Sequence, residues 1–268
     1  MLNTIGFLGC GNMGGAIARA VCKAADPQNV WLANRTAAKA ETLAAELGCS
    51  TAINDEVAGR CDLIFLAVKP QMMEELLAPL RFTLAERPSR FVLCSMAAGL
   101  SIARIQEMAG SDCPVIRIMP NTPASVGAGM IQYCTSNVTA EEEAEFLKLM
   151  APAGRLDAVP EGLIDAASCV SGCGPAWVYQ FIEALADGGV ACGLPRAKAQ
   201  EYAAQMVLGS AKLVLESGQH PGALKDAVCS PGGSTIQGVR VLEEKGLRGA
   251  VMDAVIASYN KTKEMGKG

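Results

Sequence analysis

The chain has 268 residues, of which 50% are hydrophobic and 19% charged, and its formal net charge is −4. This composition excludes a disordered chain, and the acidic balance argues against a nucleic acid or an anionic membrane as partner. At this length we expect two domains, with part of the large apolar content buried between subunits.

The first predicted strand leads into a glycine-rich turn. An apolar run ends at Leu8, glycines follow at Gly9, Gly11 and Gly14, and small residues typical of a helix continue over 16–24. In the G-x-G-x-x-G pattern the first glycine permits a tight turn, the second lets the backbone approach a pyrophosphate, and the third lets helix and strand pack closely. The spacing predicts a dinucleotide site at a helix N-terminus, although the bare pattern also arises by chance in a chain with 28 glycines.

The second predicted strand, 29–33, ends at Asn34-Arg35-Thr36. An acidic residue near this place would bind the ribose 2′-hydroxyl of NAD, whereas an arginine suits the 2′-phosphate of NADP. The sequence therefore favours NADP over NAD. The alternative is that these residues only make a turn and cap the helix predicted over 37–47. Both can hold, because Thr36 can cap the helix while Arg35 faces the phosphate.

Apolar runs alternate with helical segments through the rest of the first half. Strands are predicted at 50–53, 62–68, 91–96, 115–119 and 127–135, and helices at 71–80, 101–108 and 140–150. This alternation predicts an α/β fold with a doubly wound sheet of the Rossmann type, in which ligands bind beyond the carboxyl ends of the strands. Lys69, Ala97 and Asn121 therefore fall on the predicted binding rim.

The second half shows only helical patterns, at 163–170, 175–190, 195–216 and 247–264. Pro175 and Pro195 suit first helical positions, and Gly218 suits the position that follows a helix. We therefore predict a Rossmann-type domain over 1–160, followed by an all-α domain over 161–268.

The cysteine and histidine content restricts the chemistry. Eleven cysteines lack any C-x-x-C pair, and the only histidine is His220. We expect buried, reduced thiols in a cytoplasmic protein, and neither a metal site nor histidine-centred catalysis. The amino terminus lacks the basic region of a signal peptide, and no stretch predicts a transmembrane helix.

A polar segment, 228–236, interrupts the helical half. Its sequence V-C-S-P-G-G-S-T-I leads from a proline and two glycines into a helix with two hydroxyl groups in its first turn. Free N–H groups and hydroxyls at such a place suit a small carboxylate. The alternative is that Ser234 or Thr235 is only an N-cap. In a second break, S-G-C-G-P over 171–175, the glycines would let another backbone come close, and the alternative is that the segment is only a turn that enters the next helix.

At these residues the sequence resembles a known family. The motifs A-L-A-D-G-G-V, G-L-P-R and S-P-G-G-S-T-I in the helical half, with F-L-A-V-K-P-Q and M-P-N-T-P in the first half, are similar to those of pyrroline-5-carboxylate reductase. The resemblance covers essentially the whole chain. It implies an NAD(P)H-dependent reduction of 1-pyrroline-5-carboxylate to L-proline, in a homo-oligomer that is joined through the helical domain and has its active site at the subunit interface.

The resemblance, together with the glycine loop and the rim of the sheet, gives a set of expected site residues. Thr235 is the expected catalytic residue, as a hydrogen-bond partner that orients the ring nitrogen. The expected substrate-binding residues are Ser230, Gly233, Ser234 and Thr235. The expected cofactor is NADPH, with NADH possible, and its binding residues are Leu8, Gly9, Cys10, Gly11, Asn12, Met13, Gly14, Asn34, Arg35, Asn54, Ala67, Val68, Lys69, Pro70, Met96, Ala97, Ala98 and Asn121.

Some residues depart from the family pattern. Cys173 stands where relatives often have serine, and Ala227 stands where some have an asparagine that reaches the substrate. Three other functions are compatible with part of this pattern. A β-hydroxyacid dehydrogenase would require a lysine within 175–180, which is absent. An F420-linked NADP oxidoreductase would be related to the first half of the chain alone. A catalytically inactive NADPH sensor would not need the S-P-G-G-S-T-I segment, so the presence of that segment argues against a sensor.

Overall fold

The protein is described here by a computed structural model that covers residues 2–266. Its sheet has eight strands in the spatial order β3-β2-β1-β4-β5-β6-β7-β8. The first six strands run parallel, β7 is antiparallel to β6, and β8 is parallel to β7. The strands are β1 (Ile5–Leu8), β2 (Val30–Ala33), β3 (Ser50–Thr51), β4 (Leu63–Leu66), β5 (Val92–Ser95), β6 (Val115–Met119), β7 (Gly129–Ser136) and β8 (Gly154–Ala158).

Helices connect the parallel strands, and longer helices make up most of the second half. They are α1 (Asn12–Val21), α2 (Ala37–Leu47), α3 (Asn54–Arg60), α4 (Met73–Leu77), α5 (Arg81–Ala85), α6 (Ile102–Ala109), α7 (Ala140–Met150), α8 (Glu161–Ser171), α9 (Gly174–Ala191), α10 (Arg196–Ser217), α11 (Pro221–Ala227), α12 (Ser234–Glu244) and α13 (Leu247–Met265). The predicted α/β class, with a doubly wound sheet followed by helices, is confirmed. Among the described helices, none is both long and apolar enough to span a membrane.

The core lies on both faces of the sheet because the central strands are buried on each side. Phe7 and Phe65, on neighbouring strands, stack with their ring centroids 4.5 Å apart on one face. Leu8 and Leu66, the next residues along each strand, belong to the core of the opposite face. Continuous apolar runs are therefore required in these strands, and this is the pattern that the sequence shows.

One predicted helix was wrong, and one edge strand was not predicted. The helix predicted over 71–80 is interrupted, because Pro70 and Pro79 each begin or enter a short 3₁₀ turn on either side of α4. The edge strand β8 was not predicted, because its exposed residues Arg155 and Asp157 weaken the apolar pattern.

The described chain forms two compact units. The first contains the residues up to Cys173 and those from Ser258 onward, and the second is 174–257. This division differs from the predicted boundary after residue 160, because α8 packs on β7 and the end of α13 returns to the first unit. The second unit is helical, and many large apolar side chains on its helices are exposed, among them Phe181, Tyr202, Met206, Leu213, Val251 and Ile256.

Candidate functional site

The predicted cofactor residues are gathered along one edge of the sheet. Strands β1 to β6 are parallel, so the loops that follow them all leave at the same edge. Backbone bonds tie the start of three of these loops to the end of a neighbouring strand: Gly9 N donates to Ala33 O at 2.8 Å, Ala67 N to Leu8 O at 2.9 Å, and Met96 N to Leu66 O at 3.4 Å. The loops after β1, β4 and β5 are therefore fixed to the sheet where they begin.

Two glycines of the first loop are required by close packing. Gly9 has a φ of +113°, and a Cβ there would lie 2.5 Å from the Ala67 carbonyl oxygen. A Cβ on Gly14 would lie 2.4 Å from the Gly9 carbonyl oxygen. A Cβ on Gly11 would meet no described atom within 4 Å, so the surface above Gly11 is open. The loop thus presents bare backbone toward the space where a dinucleotide would lie.

The start of α1 provides donors at this open surface. Gly11 is its N-cap and supplies no side-chain acceptor, and the first turn carries no acidic residue. The first N–H groups of an α-helix have no acceptor within the helix and carry partial positive charge. This end of α1 is therefore suited to a phosphate group.

Asn34 connects the second loop to the first. Its Oδ1 accepts a hydrogen bond from Cys10 N–H at 3.0 Å, and its Nδ2 donates to Thr36 O at 2.9 Å. The amide thus binds two backbone groups, and its bond to Cys10 fixes the glycine-rich loop after β1. The Cys10 side chain is half-buried, and burial raises the pKa of its thiol to about 11, so it is neutral at pH 7.

Arg35 is a free cation in this region. It is exposed, and among the described residues no carboxylate pairs with it. It borders a cavity of about 430 Å³ together with Asn34, Asn54 and Ile53. Thr36 is the N-cap residue of α2, as predicted, but its side chain makes no capping hydrogen bond.

Two residues that border cavities in this region are absent from the predicted site residues. Ile53 is 66% exposed at the end of β3 and offers an apolar face beside Asn54. Lys39 borders a second cavity, of about 420 Å³, with Gly11 and Asn12. Two features of the sequence could have indicated them. Ile53 is an apolar residue just after a strand, and Lys39 lies one helical turn after Arg35.

The loops after β4 and β5 complete the rim. Ala67, Val68 and Pro70 are partly exposed, and Lys69 is exposed. In the next loop Ala97 is buried, while Met96 and Ala98 are partly exposed. Of these residues, Ala67 and Ala98 are both small and partly exposed.

Asn121 lies at the end of β6, where the sequence predicts it, but its amide is engaged by the protein. Its Nδ2 donates to Ser171 O at 3.0 Å, and its Oδ1 accepts from Met130 N–H at 3.1 Å. The Ser171 hydroxyl in turn donates to Gln132 Oε1 at 2.8 Å. These bonds fix the end of α8, and with it the first residue of the 171–175 break, at the rim.

The start of α12 has the polar character that the sequence predicts. Gly233 is the N-cap, so the alternative in which Ser234 or Thr235 is the N-cap is wrong. Ser230, Ser234 and Thr235 are exposed, and within residues 2–266 none of their hydroxyls has a hydrogen-bond partner. Gly233 N–H is bonded to Ser230 O at 3.0 Å, which closes the turn before the helix. Free first-turn N–H groups and three free hydroxyls thus lie together on one small segment.

In the part of the chain that the structure describes, no group of three or more His, Cys, Asp or Glu side chains is arranged to hold a metal ion. All eleven cysteines are free thiols.

Two family models match the chain. Residues 161–265 match the model described as pyrroline-5-carboxylate reductase dimerisation. Residues 4–99 match the model described as NADP oxidoreductase, coenzyme F420-dependent. The first match spans helices α8 to α13, and the second spans strands β1 to β5 of the sheet.

Known proteins resemble the chain over its full length. It is 43% identical to the pyrroline-5-carboxylate reductase of Escherichia coli (strain K12), with 100% of both chains covered. It is 39% identical to that of Glycine max, with 98% of this chain and 96% of the relative covered. Among solved structures, Plasmodium falciparum pyrroline carboxylate reductase with NADP bound superposes with a TM-score of 0.89 at 35% identity, covering 99% of both chains. A Myxococcus stipitatus imine reductase in complex with NADP⁺ has a TM-score of 0.56 at 22% identity, with 98% of this chain and 94% of that chain covered, and shares the fold.

Proposed function

Because the chain belongs to the pyrroline-5-carboxylate reductase family, we propose that the rim of its sheet holds the dinucleotide and that the start of α12 holds the imine substrate. The protein is an NAD(P)H-dependent oxidoreductase that reduces 1-pyrroline-5-carboxylate to L-proline, the final step of proline biosynthesis. Two separate observations support the assignment of residues: the first unit has a bare backbone cradle at Gly9–Gly14, and the second has free hydroxyls at Ser234 and Thr235.

The cofactor side is supported by the fit of the first loop to a phosphate. The pyrophosphate would lie over Gly11, against the first-turn N–H groups of α1. The unpaired Arg35, assisted by Lys39, would hold a 2′-phosphate, which favours NADPH over NADH. Asn34 would act through Cys10 by holding the loop, and Ile53 with Asn54 would contact the adenosine. When bound, the reduced nicotinamide supplies the hydride for the C=N bond.

The substrate side is supported by the chemistry of α12. The substrate carboxylate would accept hydrogen bonds from N–H groups of the first turn and from the Ser230 and Ser234 hydroxyls, while Gly233 lets the backbone approach closely. The Thr235 hydroxyl would bond to the ring nitrogen and orient it, so that the carbon of the C=N bond faces the cofactor. An unperturbed hydroxyl is a weak acid, so Thr235 orients the nitrogen. The proton on that nitrogen is already present when the imine binds in its protonated form, and otherwise it comes from water.

The protein is a homo-oligomer that acts on a small molecule. We place the active site at the interface between subunits, so that the rim comes from one subunit and α12 from its partner. This proposal is supported by the exposure of Ser230, Ser234 and Thr235 in the single chain and by the apolar surface on the same helical unit. We also propose a cytoplasmic location, since a reducing compartment suits eleven free cysteines.

The function is tested by following NADPH absorbance with purified protein and 1-pyrroline-5-carboxylate, then repeating the assay with NADH. We expect one proline formed for each NADPH consumed, and a higher kcat/KM with NADPH than with NADH. An absence of oxidation with both cofactors would refute the function. Oxidation that is equal with both cofactors would refute the NADPH preference alone.

The interface is tested by mixing two variants of low activity, one impaired on the rim (Gly14→Val) and one at α12 (Thr235→Ala). If each active site combines two subunits, a mixed dimer has both substitutions at one of its two sites and neither substitution at the other. Activity should therefore rise when the two variants are mixed and exchange subunits. A mixture that stays inactive, although mass measurements show exchanged subunits, would place the complete site within one chain.

A further inference from the structure

The loop between β5 and α6, 96–101, is held by residues far along the chain. It contains Met96, Ala97 and Ala98, which are expected to contact the dinucleotide, and it ends at Gly99 to Ser101. Two groups from the later part of the chain contact this loop directly. One is the last turn of α13, and the other is Glu161 at the start of α8.

The last turn of α13 lies against the backbone of Gly99. A Cβ on Gly99 would lie 3.2 Å from Gly266 N and 3.2 Å from Thr262 O. A Cβ on Gly266 would lie 2.5 Å from Gly99 O, a distance that no side chain can occupy. The two backbones are therefore in contact, and Gly266 is closed into the helix turn by a bond from its N–H to Thr262 O at 3.2 Å.

Glu161 holds the other end of the loop. Its Oε1 accepts a hydrogen bond of 2.6 Å from Ile102 N–H, the first residue of α6, and lies 3.5 Å from Arg117 Nη1. Arg117 is 2% exposed and forms an ion pair with Asp165 of α8. Lys263 of α13 approaches the same carboxylate, with its Nζ 3.9 Å from Asp165 Oδ2. A charged cluster thus fixes α8, β6 and the end of α13 around the loop.

We propose that the last turn of α13, through Gly266 and Lys263, is a positioning element that sets the 96–101 loop in its dinucleotide-binding conformation. The proposal rests on the proposed function, in which this loop contacts the cofactor. The small residues Ala97, Ala98 and Gly99 cannot stiffen the loop themselves, because they offer little side-chain packing. A loop that is fixed before binding gives up less conformational entropy when the ligand arrives, so its affinity is higher.

The experiment compares two variants of the full-length chain with two matched controls. Gly266→Ala introduces a Cβ against Gly99 O, whereas Gly162→Ala, on α8 beside the same cluster, introduces one that meets no described atom within 4 Å. Lys263→Met removes the contact with Asp165, whereas Lys261→Met removes only the exposed pair with Glu264 on the same helix. The readouts are the Kd of NADPH by fluorescence titration without substrate, hydrogen exchange of the 96–101 backbone in the cofactor-free protein, the KM for 1-pyrroline-5-carboxylate, and Tm.

We expect Gly266→Ala to raise the NADPH Kd by about tenfold, and Lys263→Met to raise it by a smaller factor. Both variants should speed hydrogen exchange in 96–101, while the KM for the imine at saturating NADPH and the Tm stay close to those of the parent. Both controls should match the parent. If Gly266→Ala does not fold, the comparison of Lys263→Met with Lys261→Met decides the question.

An unchanged NADPH Kd in the folded variants would overturn the proposal. A rise in Kd accompanied by an equal fall in Tm and a higher imine KM would also overturn it, because this pattern indicates general destabilisation. Both results differ from a failure of the proposed function, in which the parent protein itself would not reduce the imine with NADPH.

Discussion

The backbone N–H of Cys10 donates a 3.0 Å hydrogen bond to Asn34 Oδ1, so the side chain that ends the second strand fixes the loop that follows the first. If this bond holds the pyrophosphate loop, Asn34→Ala should weaken NADPH and NADH to a similar extent, by about tenfold, because both cofactors share the pyrophosphate. Equilibrium titration with each cofactor measures the effect. A loss confined to NADPH would mean that Asn34 contacts the 2′-phosphate instead.

Unlike Asn34, Arg35 should affect the use of NADPH and of NADH to different extents. Replacing Arg35 with alanine removes an unpaired cation beside the cavity that Ile53 and Asn54 also border. The value of kcat/KM with NADPH should therefore fall about tenfold or more, while kcat/KM with NADH should change little. Lys23→Ala is the matched control, because this exposed lysine follows the other end of α1. Steady-state rates at low and high salt give a second check, since the NADPH advantage should shrink with ionic strength.

Thr235 is expected to act only on the imine. Thr235→Ala should lower kcat/KM for 1-pyrroline-5-carboxylate by at least about tenfold, as expected for the loss of one oriented contact, while the NADPH Kd is unchanged. Thr235→Ser keeps the hydroxyl and should retain most of the activity. Near-normal turnover by the alanine variant would remove Thr235 from the mechanism.

The ion pair between Arg90 and Glu142 predicts a pH-dependent contribution to stability. Burial acts to raise the pKa of Glu142, but hydrogen bonds from Arg90 and from Thr139 N–H outweigh it, and the net pKa lies below its ordinary value. A lowered folded-state pKa adds stability above the unfolded-state value of about 4.3, and this stability is lost as the pH falls through the folded-state value.

Glu142→Gln should therefore cost about 1–2 kcal/mol of unfolding free energy at pH 7 and progressively less below about pH 4. Urea unfolding at a fixed protein concentration measures the difference, because oligomer stability depends on concentration. Glu46→Gln, in the exposed pair with Arg19, is the control and should change stability little at either pH. A constant cost for Glu142→Gln across this pH range would contradict the charge-based explanation.

The sequence predicts the elements well where side-chain pattern and chain chemistry agree. The helix over 37–47, the strand over 115–119 and the helix over 140–150 have the predicted bounds. The two helices each combine an apolar period with a terminal signal, which is Gly48 after α2 and Thr139 before α7. Gly218 likewise follows α10 in the left-handed conformation, as predicted.

The sequence does not predict which hydrogen-bond partner a polar side chain has in the folded protein. Nothing in Asn34-Arg35-Thr36 indicates that the asparagine amide binds the Cys10 backbone or that the Thr36 hydroxyl leaves the helix uncapped. In the same way Asn121 is correctly placed on the rim, yet its amide binds Ser171 and Met130. These choices arise from tertiary contacts between segments distant in sequence, which periodicity does not encode.

The return of the chain to the first unit at Ser258 has a consequence for the exchange of helical units between relatives. A chimera that replaces 174–257 requires two splice points, and the second falls inside α13. Inserting or deleting one residue upstream in that helix rotates everything after it by about 100°. The turn that meets Gly99 would then face elsewhere, so a recombinant that keeps every ligand residue could still bind its cofactor poorly unless the helical phase of the donor segment is preserved.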